Sequence, residues 1–286
     1  ALGSGVTLQT QTFNAGPAAV QALFAEGLDA SYVGPNPTIN AFVRSNGTAI
    51  RVISGATSGG ASLVVKPSIG SAADLRGKKL ASPQLGGTQD VALRYWLEQQ
   101  GLKTDAQGGG DVSIVPQDNA LSLQTFRAGA IDGAWVPEPW ATRLVQEGGG
   151  KVLVDERDLW PGGRFVTANL VVRTKYLRDH PDVVRRLLVG QVRANDYVNQ
   201  HPAEAQRSAN AEIGTLTGKT LSAAVIAASW KTLAFTDDPL PPTLATAAAH
   251  AKEVGLLSSY DLTGLYDLSL LNSVLKDAGE PAVSAG

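Results

Sequence analysis

The sequence predicts a two-lobed α/β protein, and three observations carry that prediction. Strand-like and helix-like segments alternate from about residue 7 to residue 136, which argues a parallel α/β sheet rather than a sandwich. A pattern of helix end, turn, aromatic strand and Pro-rich turn occurs twice, 103 residues apart. The length of 286 residues suggests about two domains and is enough chain for two cores.

Composition narrows the classes. Hydrophobic residues make up 43% and charged residues 17%, as in a soluble globular protein. The net charge is −2, so nothing steers the chain toward nucleic acid or an acidic membrane surface. The absence of Cys removes disulfides, thiolate metal sites and cysteine nucleophiles together. No run of about 18 apolar residues encodes a transmembrane helix, and no signal-peptide pattern opens the chain. Met is absent too, so a segment upstream of Ala1 is expected.

In order, residues 7–13 read as a strand and 17–26 as a helix with apolar Ala18, Val20, Leu23 and Phe24. A short strand at 30–33 and a helix at 38–45 follow. Residues 50–54, 62–66 and 79–82 read as strands. In the next helix, 88–100, Val91, Leu93, Trp96 and Leu97 recur at helical spacing. A strand at 112–116, a helix at 119–128 and a strand at 133–136 complete a second set. After Arg173 the texture becomes helical, over 180–200, 202–213, 222–233, 242–254 and 268–278. Pro181, Pro202 and Pro242 sit where first-turn prolines are tolerated. No linker exceeds a few residues, so short crossings must join the lobes.

The repeat sets Ala25 to Val33, followed by Gly34-Pro35-Asn36-Pro37, against Ala128 to Val136, followed by Pro137-Glu138-Pro139-Trp140. It also aligns the helix entries at Asn14 and Gln117. Several elements keep register at once, as duplicated lobes should. The second copy opens with a strand at 79–82, the Gly-rich Leu85-Gly86-Gly87 loop and a helix, whose counterparts would fall before Ala1. The first strand and helix of the first lobe are therefore expected upstream, along with part of any binding site.

In open α/β sheets ligands bind beyond the carboxyl ends of strands, at helix N-termini. Five turns fit: Asn14 to Pro17 with Gly16, Gly34 to Thr38 with Asn36, Thr57-Ser58-Gly59-Gly60, Gly86-Gly87-Thr88-Gln89, and Pro137 to Trp140 with Glu138. Each offers free backbone N–H groups and the positive end of a helix dipole, suited to a compact anion without an arginine. Trp140 reads equally as pocket wall or core. Glu138 is either a first-turn acid or a partner for a cationic group. Catalytic readings fare poorly: His180, His201 and His250 lack metal-ligand spacing, and Gly86-Gly87-Thr88 lacks the Walker lysine. Ser58 has no nucleophile-elbow context. No cofactor, metal or catalytic residue is expected.

The stretch Phe13 to Val20 with Gly34-Pro35-Asn36-Pro37, then Ala73-Asp74-Leu75-Arg76-Gly77-Lys78-Lys79-Leu80-Ala81 and Asp132 to Trp140, resembles the periplasmic solute-binding proteins of ABC importers. The branch is that for aliphatic sulfonates, taurine and nitrate, which also holds pyrimidine-precursor binders. The resemblance implies a type II periplasmic-binding-protein fold with two crossings, near 66–71 and 164–174. Lobe 1 would comprise 1–69 and 169–286, and lobe 2 residues 70–168. It further implies an extracytoplasmic location, a lipid anchor on an upstream segment, a small anionic solute of the alkanesulfonate class, and a membrane permease as partner. The ligand-binding set expected from the turns is Asn14, Gly16, Asn36, Thr38, Thr57, Ser58, Gly60, Gly87, Thr88, Gln89, Glu138 and Trp140. An enzyme or a sensor on the same fold is the alternative.

Overall fold

The computed structural model describes residues 2–286. It opens with α1 (Gly16–Phe24), β1 (Ala30–Val33), α2 (Pro35–Arg44), β2 (Ile50–Gly59), β3 (Ala61–Val65) and β4 (Lys79–Ser82). Next come α3 (Thr88–Gln99), β5 (Ser113–Pro116), α4 (Asn119–Arg127), β6 (Gly133–Pro137), α5 (Trp140–Gln146), β7 (Lys151–Asp155) and β8 (Val166–Arg173). The C-terminal part holds α6 (Thr174–Asp179), α7 (Pro181–Gln200), α8 (Pro202–Thr217), α9 (Ala223–Trp230), β9 (Leu233–Phe235), α10 (Pro241–Glu253) and α11 (Ser269–Ala278).

The strands form two separate sheets, in orders β1-β8-β2-β9 and β5-β4-β6-β3-β7. Each sheet has its own apolar layers, as two lobes require. Side chains alternate along β8, so Leu170 and Val172 pack with Leu188 of α7 and Leu271 of α11. Val171 points to the other face, among Leu23, Ile39, Phe42 and Leu244 of α1, α2 and α10. In the second sheet Leu63, Leu80 and Trp135 pack on Leu93, Trp96 and Leu97 of α3. Val64, Ala134 and Val136 face Phe126 of α4 and Leu144 of α5. Each such fully buried side chain contributes about 1.5–3 kcal/mol relative to exposure.

The 103-residue repeat holds in three dimensions: α1 and α4, and the starts of β1 and β6, stand at the same offset. Three readings are corrected. Residues 7–13 form no strand, and 7–12 are exposed. Their counterpart β5 pairs with β4, whereas among the described residues no strand of the first sheet pairs with 7–13.

The sheets are also not simply parallel. Among the described strands the parallel ladders are those of β4 with β5 and β6, while every ladder of the first sheet is antiparallel. β8 and β9 return to the first sheet from the second lobe and the C-terminal part, and they run opposite to β1 and β2.

The crossings move as well. β3 belongs to the second sheet, so the first crossing lies at Gly59-Gly60 rather than 66–71. Both glycines have positive φ (77° and 72°), and a Cβ on Gly60 would lie 2.3 Å from Leu233 Cδ2. The second crossing is 156–165, between β7 and β8, so 166–168 belong with the first lobe.

Candidate functional site

Four helices start where the two lobes face each other. Their N-caps are Ala15 (α1), Gly34 (α2), Gly87 (α3) and Asp118 (α4), and none makes a side-chain capping hydrogen bond. The lobes touch here. Asn14 Nδ2 donates to Asp118 Oδ2 at 2.9 Å, joining the entries of α1 and α4. A Cβ on Gly34 would lie 2.4 Å from Thr88 Oγ1, so the starts of α2 and α3 are in contact through a glycine. Gly16 packs equally tightly on Pro37, placing the start of α1 on that of α2.

Beside the starts of α2 and α3 lies a cavity of about 20 Å³, lined among others by Asn36, Thr88, Glu156, Trp160, Phe165 and His250. That is room for about one water molecule, so the seam must part to admit a solute. The rest of the seam is aromatic. Tyr95 of α3 stacks on His250 of α10 with ring centres 3.6 Å apart, and Trp160 stands 5.6 Å from His250. Burial holds the His250 imidazole below the usual histidine range, partly offset by Glu253.

The expected ligand residues fall into two groups. Asn14, Gly16, Asn36, Thr38, Gly87, Thr88 and Gln89 gather around the four helix starts. Three of these side chains are already committed: Asn14 Nδ2 donates to Asp118, Asn36 Nδ2 to Ala247 O (3.1 Å) and Thr38 Oγ1 to Gly34 O (2.8 Å). Pro17, Pro35 and Pro37 carry no N–H, so the first-turn backbone donors of α1 and α2 are those of Gly16, Ala18 and Asn36.

Thr57, Ser58, Gly60, Glu138 and Trp140 lie apart, around the first crossing. Thr57 and Ser58 are within β2 rather than in a turn, and Ser58 Oγ accepts from Phe165 N at 3.2 Å. Glu138 N donates to Gly60 O (2.8 Å). The Glu138 carboxylate accepts from Thr142 N (3.1 Å) and Thr142 Oγ1 (3.0 Å), so the positive end of α5 already holds an anion. Trp140 is half-buried against the α4–α5 layer, with the Arg143 guanidinium 4.4 Å from its ring centre. Glu138 stands one residue before Pro139, the N-cap of α5, and Trp140 packs at the core edge.

Two groups escape sequence reasoning. The first is a buried brace under the Gly86-Gly87 loop. Asp90 accepts from Ser82 Oγ (2.6 Å), Gly86 N (3.0 Å) and Arg94 Nε (3.0 Å), and both Asp90 and Arg94 are buried. Its i,i+4 spacing on α3 was the available signal. The second is Glu156, 2% exposed, whose carboxylate accepts from Trp135 Nε1 at 2.8 Å. No spacing in the sequence marks it. Desolvation pushes its carboxyl up to about 7, against the two indole N–H donors of Trp135 and Trp160. Among the described residues no cluster of three His, Asp or Glu side chains could hold a metal ion.

The signature of the NMT1-like family matches residues 3–214. The taurine-binding periplasmic protein of Escherichia coli is 29% identical over 185 residues, covering 64% of this chain and 54% of that one. The first relatives, Brucella proteins named as binding proteins, are 28% identical over 202 residues, and the chain spans about 60% of their length. The alkanesulfonate-binding protein SsuA of Xanthomonas axonopodis pv. citri, solved with MOPS, superposes with a TM-score of 0.73 at 18% identity. That match covers 90% of this chain and 86% of SsuA. The desulfurization enzyme DszB, in complex with biphenyl-2-sulfinic acid, superposes at 0.67 and 18% identity, covering 92% and 90%. These structures establish the fold as that of the periplasmic solute-binding proteins.

Proposed function

Because the chain belongs to the NMT1-like family, we propose that it is the solute-binding component of an ABC importer, capturing a small organic anion between its lobes. The observation that carries this reading is the meeting of four helix N-termini without side-chain caps, two from each lobe. Their N–H groups and dipoles can hold a compact anion such as a sulfonate without a basic side chain. Neither lobe completes the grip alone, so binding favours the closed arrangement, which a membrane permease would then recognise. The relatives' names support an extracytoplasmic location and a sulfonate-like or nitrate-like ligand.

A thermal-shift screen against alkanesulfonates, taurine, nitrate, sulfate and pyrimidine precursors tests this. A true ligand at about 100 times its dissociation constant adds about 2.7 kcal/mol of stability. A rise confined to sulfonates is the expected outcome; a flat profile across every anion overturns the reading. The likeness to DszB favours a second reading, an enzyme on the same fold acting on a sulfur oxyanion. It predicts turnover of a bound sulfonate or sulfinate, read as sulfite release, where the binding reading predicts none.

A further inference from the structure

The cavity beside the starts of α2 and α3 has walls of two kinds. Three of its side chains have protein behind them. Asn36 is bonded to Ala247 O (3.1 Å), Thr88 sits against Gly34, and His250 stacks on Tyr95 with ring centres 3.6 Å apart. Trp160 is different, because it also lines a second, open cavity of about 550 Å³, together with Ser58, Arg157, Arg164 and Leu233. Among the described residues it is the one shared by the two cavities.

Its place in the chain makes it a separable wall. Trp160 stands in the second crossing, half-buried, between short 3-10 turns at Glu156–Leu159 and Pro161–Gly163. Gly162 and Gly163 after it both have positive φ (62° and 69°). The indole is held by the buried ring of Phe165, stacked at 5.5 Å, and by a hydrogen bond to Glu156. It belongs to none of the four apolar layers that build the lobes.

We propose that Trp160 is a specificity-determining residue: as the partition between the inner and outer cavities, it limits the size of solute the closed lobes can hold. This rests on the anion-binding reading above. A head group at the starts of α2 and α3 leaves the aromatic side of the cavity, with Trp160, for the rest of the solute. A short body is held with the indole in place, whereas a bicyclic one needs the space the indole fills. In a packed pocket even one methylene too many costs about 10–200-fold in affinity, so a whole ring system is excluded. Without the indole the two cavities become one.

Calorimetry with ethanesulfonate and naphthalene-2-sulfonate tests it, since the naphthalene is close in size to the indole. Unmodified protein should favour ethanesulfonate by at least about tenfold. Trp160→Ala should move the ratio of the two affinities at least about tenfold toward naphthalene-2-sulfonate, and Trp160→Leu should move it the same way. General loosening of the lobes would weaken both anions together and leave the ratio alone. Equal affinities in unmodified protein overturn the size limit and leave the anion reading standing, and so does a ratio that neither variant moves. Binding of neither anion to unmodified protein overturns the size limit together with the sulfonate reading beneath it. Trp160→Leu keeps an apolar side chain against Phe165, so the ratio can be read even if Trp160→Ala folds poorly.

Discussion

Glu156 illustrates how a single side chain ties stability to pH. Its carboxyl is raised to about 7 from an ordinary 4.5, with the group almost wholly buried. Between those two values the folded protein keeps a proton that the unfolded chain has lost. Stability is therefore whole below about pH 4.5 and falls as pH rises through 7, by roughly 3 kcal/mol in all. Glu156→Gln removes this loss while keeping an acceptor for Trp135. The variant should melt several degrees above the unmodified protein at pH 8 and at about the same temperature at pH 4. Equal melting temperatures at pH 8 would show that the carboxylate has found a compensating partner. His250 works in the opposite sense: its depressed imidazole means that protonation below the ordinary histidine range opposes the packed seam.

Among the elements, those with clear periodicity or flanking turn chemistry were legible. α3 with its Val91, Leu93, Trp96 and Leu97 stripe buries all four, and β1 and β4 fall where apolar runs placed them. β8 was missed because its partners are remote in sequence: its ladder to β1 pairs Val33 with Asn169. Residues 7–13 look like a strand locally but lack a neighbour, which no local pattern reveals. The site was legible to the level of helix starts, since Gly-Pro and Gly-Gly turns announce them. What side chains do there was not, because Asn36 and Glu138 are spent on contacts with Ala247 and Thr142. The Gly86-Gly87 loop owes its shape to the Asp90 brace beneath it. Asp90→Ala would leave Arg94 buried without its partner, at a cost of about 3–5 kcal/mol. It would also free Gly86 N, so denaturant unfolding should show that loss together with weaker solute binding. A cost below about 1 kcal/mol would mean that the loop is held by the glycines themselves.

On the scale of the whole molecule, the question is whether the lobes must close fully around a solute. The seam joins Asn14 to Asp118, Tyr95 to His250 and Gln99 to Glu253, all between lobes. At its centre Gly34 has φ −72° and ψ 167°, an extended conformation open to any residue, so its lack of a side chain serves the contact with Thr88 alone. Gly34→Ala should therefore leave each lobe folded, yet drive a methyl to 2.4 Å from Thr88 Oγ1 and wedge the lobes apart. X-ray scattering should report a larger radius of gyration, and affinity should fall at least tenfold. Thr88→Ala in the same chain removes the nearest obstructing atom and should return the radius to that of the unmodified protein. Rescue of the radius by the second substitution separates a wedge from general damage, because damage to the lobe around Gly34 has no reason to depend on Thr88 in the other. If Gly34→Ala leaves the radius unchanged, the contact yields locally, and closure is governed by the aromatic seam around His250 instead.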